Sequence, residues 1–502
     1  MIKSSLIKNF MRFVVTGLFL LLSASVFAQL EIDQPIMHNM VLQRGKPLRL
    51  SGKGLPSNAV KIHIGENKTY NTVSNQNGFW KIEIPSHDAS LKPFSLVVFT
   101  RTDSLEFKNL LWGDVWVCAG QSNMEFALKS EWHYQKELPI AANQNIRVYN
   151  PVYIGKNRYA NPYPDAIRQS ITPSNFYEGV WQILDSISAP SFSAIGYYFA
   201  KIIAQKTGVP IGIINVSVGG SPIEAWMSKA SLINDATFSK KINDSWLTND
   251  YLPVWIRQRG KENIGLTNLN GNHAFKPAFL YDAAIVPLSK LKIAGILWYQ
   301  GESNAQEMER VDEYPALQEK MIASYRSAWG LKNLPFYFVQ LSSIDSVNYK
   351  SQHWQQFRAA QFDALQKGHH VGMVVSMDKG AKNDVHPTNK KDIAQRLANT
   401  ALHDIYGYLK SPTLTKPIRI AYANKQVVVT FNNPLQTIDG AAPKGFSLDG
   451  IHEASYVIKD NKAIIKTPSK PARLYFGFSP YTSANLVDKQ GIPIPAFIWT
   501  VK

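Results

Sequence analysis

Asp114-Val115-Trp116-Val117-Cys118-Ala119-Gly120-Gln121-Ser122-Asn123-Met124-Glu125 is the stretch whose reading decides this chain. The apolar run to Ala119 has the texture of a buried parallel strand, and a helix start is expected directly after Gly120. A serine at that junction sits in the crevice at the strand's carboxyl end, with its hydroxyl free and its N–H at a positive helix terminus. Such a serine suits acyl transfer. It also fits a plain structural role, as an N-cap with Glu125 three residues on in a capping-box arrangement. A distant segment weighs for chemistry: Asp384-Val385-His386-Pro387 follows another apolar run, Val371 to Met377. Serine is a poor nucleophile until a base takes its proton, and the base needs a third group to orient it and balance its charge. Ser122, His386 and Asp384 supply nucleophile, base and acid. Asp378 is the alternative acid, and Ser217, after the apolar run from Ile211, the alternative nucleophile.

Outward from that stretch the texture falls into segments. Residues 29–108 alternate in short runs, Leu48 to Ser51, Val60 to Ile64, Trp80 to Ile84 and Ser95 to Phe99, with turn residues between them, which predicts a β-sandwich-like module with Trp80 in its core. Residues 109–410 alternate apolar strands (Ile211 to Val218, Ile293 to Tyr299, Pro335 to Leu341, Val371 to Met377) with helical stretches near Ala194 to Lys206, Tyr314 to Trp329, His353 to Lys367 and Lys390 to Tyr406. That order predicts an α/β domain, a parallel sheet with helices on both faces. An Asn- and Trp-rich interval at about 227–279 lacks periodicity and reads as a cap-like insertion, in which Trp246, Trp255 and His273 either line a cleft or pack within it. Residues 411–502 return to strands, a C-terminal β module whose last segment, Phe497 to Val501, pairs within that module or packs on the α/β domain.

Bulk properties restrict the function. Lys3, Lys8 and Arg12 precede the apolar run Phe13 to Leu22, and small residues lead to Val26-Phe27-Ala28, so residues 1–28 read as a secretory signal peptide and the protein as exported, periplasmic or extracellular. The apolar core is too short to span a bilayer, and no comparable segment follows. Without the leader the chain keeps 51 Lys and Arg against 37 Asp and Glu. These cations are dispersed, which argues against nucleic acid as the partner. Cys118 is the single cysteine, so no intramolecular disulfide is available; within an apolar run, it reads as a core residue. There is no His-Glu-x-x-His, cysteine pair, P-loop or Gly-x-Ser-x-Gly elbow, and the reading needs neither metal nor cofactor.

Four ordered blocks carry a family resemblance: Gly120-Gln-Ser-Asn-Met-Glu125, Gly219-Gly-Ser-Pro-Ile-Glu-Ala-Trp226, Trp298-Tyr-Gln-Gly-Glu-Ser-Asn304 and Asp384-Val-His-Pro387. Together they resemble the sialate O-acetylesterase family of SGNH hydrolases, over roughly residues 30 to 502. The resemblance implies a carbohydrate O-acetylesterase with Ser122, His386 and Asp384 as its triad. The backbone N–H groups of Ser122 and of Gly219 or Gly220 would receive the oxyanion, with a side-chain amide as third donor. Gln300 is the expected third donor rather than Asn304, because the block departs from the superfamily's Gly-x-Asn spacing. Asn123 would steady the nucleophile turn, and Glu302 would accept hydrogen bonds that orient its neighbours. The acid stands two residues before the histidine where many SGNH enzymes have three, so the local turn must differ. The implied substrate is an O-acetylated sugar, sialic acid first and acetylated xylan second. A catalytically dead glycan-binding protein would require a missing group, and every group is present in the sequence.

Overall fold

The computed structural model describes residues 29–66, 68–158, 161–242, 245–346, 353–410 and 414–501; the expected leader, 1–28, lies outside the described residues. These form two compact units, a smaller one made of residues up to Gln34, Arg49–Ile84 and Ser95–Glu106, and a larger one holding the rest.

In the smaller unit, strand Ala59–Ile64 pairs antiparallel with Lys68–Val73 on one side and with residues 96–99 on the other. Val60, Ile62, Leu96 and Val98 are fully buried while their neighbours face out, the period-two alternation of a half-covered sheet. Trp80 is buried as expected, its indole N–H donated to the Lys53 carbonyl at 3.1 Å.

The larger unit is built on β1 (Ser104–Gly120), β2 (Asn143–Tyr149), β3 (Trp181–Leu184), β4 (Ile211–Asn215), β5 (Gly295–Tyr299), β6 (Phe336–Gln340) and β7 (Val371–Val375), side by side in the order β3-β2-β4-β1-β5-β6-β7. All neighbours are parallel except β3, which closes one edge antiparallel to β2. The helices that frame the site are α1 (Ser122–Glu125), α2 (Ala194–Thr207), α3 (Val254–Ile264), α4 (Met308–Trp329), α5 (Trp354–Lys367) and α6 (Lys391–Asp404). Side chains alternate faces along each strand. Trp116 of β1 therefore meets Phe199 of α2, ring centroids 4.9 Å apart. Trp298 of β5, level with Ala119 rather than with Trp116, projects oppositely and donates to the Tyr314 hydroxyl of α4. Helices α2 and α6 pack together on one face, and α4 and α5 on the other, where Tyr314 and Phe357 lie 4.4 Å apart. A fully buried apolar side chain contributes about 2 kcal/mol, and with Cys118 buried and free this core does the work of disulfides.

Helix α4 begins six residues before the expected Tyr314 and carries Pro315 inside it. A proline there looks like a first-turn residue; burial of Val311, Tyr314 and Leu317 against the core carries the helix past it. The 227–279 interval is also more ordered than its composition suggests. It contains α3, and Trp246 stacks on His273 with centroids 5.8 Å apart, both almost wholly buried. At the C-terminal end, strand Phe497–Thr500 does both things left open by the sequence. It pairs antiparallel with Arg473–Phe476, and Phe497 packs on Phe362 of α5 at 5.6 Å while Ala496 exchanges hydrogen bonds with the Gln340 side chain.

The chain leaves β1 for the β2 side and later returns across it to β5. The carboxyl end of β1, between β4 and β5, is thus a topological switch point, where α/β sheets open a crevice.

Candidate active site

Three loops leave adjacent strand ends at that switch point, and a fourth arrives from beyond β7. Gly120 ends β1 at φ +124°, and a Cβ there would lie 2.3 Å from the Tyr299 carbonyl of β5, so only glycine lets the chain turn so close to the neighbouring strand. Gln121 is the N-cap of α1 and makes no side-chain cap. The capping-box expectation therefore fails: Ser122 is the first helical residue, where a backbone N–H lacks an intrahelical acceptor, and Glu125 reaches sideways to accept the Gly219 N–H at 2.8 Å. The turn is fastened from behind by Ser193, whose hydroxyl donates to the Met124 carbonyl at 2.6 Å and caps α2 by accepting the Gly196 N–H at 3.1 Å.

Freed from capping, Ser122 Oγ lies 2.7 Å from His386 Nε2. The alternative nucleophile is spent: Ser217 is buried and donates to the Asn215 side chain. The alternative acid is spent too, since Asp378 takes both ends of the Arg396 guanidinium at 2.7 Å each. Asp384 explains the two-residue spacing. Its Oδ1 accepts the His386 backbone N–H at 2.8 Å, an Asx-type turn that needs the acceptor two residues ahead. Burial holds the His386 imidazole below the usual histidine range; the neighbouring Lys390 cation pushes the same way and Asp384 opposes both.

The residues expected to receive an oxyanion separate. A Cβ on Gly219 would lie 3.6 Å from the Ser122 Cβ, so this loop borders the nucleophile, but the Gly219 N–H is given to Glu125. Gly220, at φ +75° and with a hypothetical Cβ 3.0 Å from Trp255 and Phe275, keeps an N–H that meets no acceptor among the described residues. The expectation for Gln300 is corrected. Its side chain is fully buried, its amide N–H₂ faces Asn304 Oδ1 at 2.8 Å, the Ser221 carbonyl at 3.2 Å and Gln121 Oε1 at 3.3 Å, and its own oxygen accepts from Tyr314 at 2.9 Å. Asn304 is equally engaged, donating to Glu224 at 3.0 Å and accepting the Ile223 N–H at 3.0 Å. Both amides stitch one strand-end loop to the next, because a buried amide must satisfy its own donors before it can offer any to a ligand.

Asn123 and Glu302 are brought together. Asn123 Nδ2 donates to Glu302 Oε1 at 2.6 Å and to the Val385 carbonyl at 2.9 Å, tying the nucleophile turn to the β5 loop and to the residue before His386. Burial raises the Glu302 carboxyl above the ordinary range. The sequence reading missed Lys390, whose buried ammonium donates to Asn123 Oδ1 and lies 4.7 Å over the Phe126 ring. A signal was present: Lys390-Lys391 opens α6, where the helix dipole favours acids.

At the mouth, the insertion contributes one of its three candidates. Trp246 and His273 are interior, whereas Trp255 is half-buried, donates to Ser303 Oγ at 3.1 Å and carries the Arg259 guanidinium 4.8 Å above its ring. Beside the His386 loop, Trp132 is 75% exposed, with its backbone N–H donated to the Thr388 carbonyl at 3.2 Å.

A parallel α/β sheet with a serine–histidine pair at its switch point is the class of protein these features define. More particularly, the chain belongs to the carbohydrate esterase family described as sialic acid-specific acetylesterase, whose model matches residues 112–245 and 264–403. Sialate O-acetylesterases of rat and human are each 27% identical to it, over 66% and 74% of this chain. The chain spans 64% and 66% of the length of those relatives. A crystal structure of a carbohydrate acetylesterase from Xanthomonas citri superposes with a TM-score of 0.76 at 28% identity, covering 94% of this chain and 99% of that one.

Proposed function

We propose that the protein is an exported serine esterase that removes O-acetyl groups from sugars through an acyl-enzyme. The observation that carries this is the 2.7 Å contact between Ser122 Oγ and His386 Nε2 at the sheet's switch point. His386 takes the serine proton as Oγ attacks the acetyl carbonyl, and the oxyanion forms beside the Ser122 and Gly220 N–H groups. The imidazolium then protonates the departing sugar oxygen. Water, deprotonated by the same histidine, releases acetate and restores the serine. Asp384 holds the histidine loop through its Asx turn and stabilises the imidazolium by charge.

Substrate choice rests on the mouth. The family model passes over residues 246–263, the interval holding Trp255 and Arg259. A guanidinium stacked on an indole, with part of its charge already met by Glu262 at 3.1 Å, would meet a sugar bearing a carboxylate through the cation and the ring edge, which favours O-acetylated sialic acid. The exposed Trp132 favours a second reading, an acetylated polysaccharide such as xylan reaching past the first ring. Export rests on the leader composition of residues 1–28; among the described residues no helix is long and apolar enough to cross a membrane.

Acetate release from O-acetylated sialic acid and from acetylated xylan, by the mature protein and by Ser122→Ala, tests the reading. The variant should lose about 10³-fold or more in kcat with unchanged folding. Retention of activity in a folded Ser122→Ala would overturn the assignment, and the better glycan identifies the substrate class.

A further inference from the structure

Beneath the nucleophile lies a closed layer of charge that the hydrolytic cycle above does not use. The Asn123 carboxamide is its hub, its N–H₂ facing the Glu302 carboxylate and the Val385 carbonyl, its oxygen facing the Lys390 ammonium. That orientation is the one the three partners dictate, an anion and a carbonyl on the donor side and a cation on the acceptor side. Lys390 is 1% exposed. Its ammonium is roofed by the rings of Phe126 at 4.7 Å and Tyr299 at 5.8 Å, and Phe126 is also the aromatic neighbour of the His386 imidazole, 6.4 Å away.

We propose that Lys390 is a positioning residue of the esterase site: its buried ammonium locks the Asn123 carboxamide that joins the Ser122 turn to the His386 loop, and its charge disfavours the imidazolium. The inference rests on Ser122 and His386 being nucleophile and base. An isolated lysine is costly to bury, and three acids face this one: Glu302 from the β5 loop, Asp384 from the histidine loop and Glu131, whose carboxylate also accepts the Lys390 backbone N–H at 3.3 Å. Their attraction only partly offsets desolvation, which brings the lysine down to about 7. Burial holds the His386 imidazole below its usual range and the Lys390 cation pushes the same way, so an imidazolium and the ammonium repel. The groups facing His386 are then Ser122 from α1, Asp384 from its own loop and Lys390 from the start of α6. Of these, Asp384 favours the imidazolium and Lys390 opposes it.

The sign of the expected change follows. Replacing the cation by an isosteric neutral chain raises the His386 pKa, so the acid limb of the kcat/KM profile moves to higher pH and activity is lost first on the acidic side. Lys390→Met alone leaves Glu302 buried without its cation and can compromise folding, so Lys390→Met/Glu302→Gln, which keeps the layer neutral, is measured beside it. The readouts are kcat/KM against pH, and the ¹H–¹³C titration of the His386 ring assigned with His386→Gln, which reports on the imidazole whether or not the chosen ester is turned over. An upward shift of both in the double variant supports the proposal. A folded double variant whose imidazole titrates where the wild type does overturns it. Absence of Ser122-dependent hydrolysis in the wild type would instead count against the esterase reading, with the ring titration still deciding the role of Lys390.

Discussion

The layer under Ser122 and the rim around it are built from opposite materials. Below, Asn123, Gln300, Glu302, Asn304 and Lys390 are all buried and hydrogen-bonded to one another, to Glu224 and Tyr314 or to neighbouring backbone, while Glu302 Oε2 meets no partner among the described residues. Above, Trp255 is half-buried on a helix the family model skips, and Trp132 stands nearly free. The difference teaches that this site separates chemistry from selection. A buried, densely hydrogen-bonded network has few low-energy arrangements and fixes the reacting atoms. The half-buried Trp255 and the exposed Trp132 lie outside that network, and the proposed substrate reading places them against the sugar.

That separation can be broken by experiment. Gly220→Ala should have the largest effect of these, because a side chain at φ +75° pressed against Trp255 and Phe275 moves a loop N–H that meets no acceptor among the described residues and that the proposed mechanism gives to the oxyanion. A fall in kcat of about 10²-fold, with KM changed far less, is expected on any acetyl ester. Equal losses in kcat and affinity, confined to glycan substrates, would place Gly220 in the rim instead.

Asp384→Asn comes next, with kcat reduced roughly tenfold, since the carboxylate is exposed and the Asn oxygen can still close the turn. Asp384 raises the imidazole pKa. Its removal therefore moves the acid limb of kcat/KM to lower pH, the reverse of the change expected at Lys390. A limb that stays in place in this variant would mean the carboxylate serves the turn alone.

Trp255→Ala should raise KM for the preferred glycan about fivefold while leaving kcat on p-nitrophenyl acetate within about twofold. A matching loss on the small ester would tie the insertion to the chemistry and erase the distinction between layer and rim. Trp132→Ala should have the smallest effect, about a twofold rise in KM on acetylated oligosaccharides and none on a monosaccharide. An effect on the monosaccharide would bring Trp132 into the first sugar position.

The legible parts of the molecule are those where local sequence and tertiary role coincide. Ile211, Ile296, Phe338 and Val375 lie in apolar runs because both faces of a parallel sheet are covered, and such runs need no partner to be recognised. Helix Trp354–Lys367 falls within a residue of expectation because its buried Trp354, Phe357, Phe362 and Leu365 line one face at helical spacing. Helix α3 was hidden because its pattern is polar on average, and it is held by packing on Trp246 and Leu247 rather than by an apolar stripe of its own. In the site, Ser122, Asp384 and His386 were legible as candidates, because the proposed nucleophile, acid and base must be a serine, a carboxylate and an imidazole.

The sequence by itself determined the parallel α/β sheet, the serine at its switch point, the histidine that answers it and the membership of the esterase family, because periodicity and reactive residue types are local properties. Only the tertiary structure decided that Gln300 and Asn304 are spent as struts, that Glu125 abandons the cap to hold Gly219, that Trp246 and His273 are interior while Trp255 faces the mouth, and that Lys390 lies under the nucleophile. Each of those outcomes depends on which buried donor finds which acceptor across loops far apart in the chain, and a pairing of that kind is set by where the strands end in space.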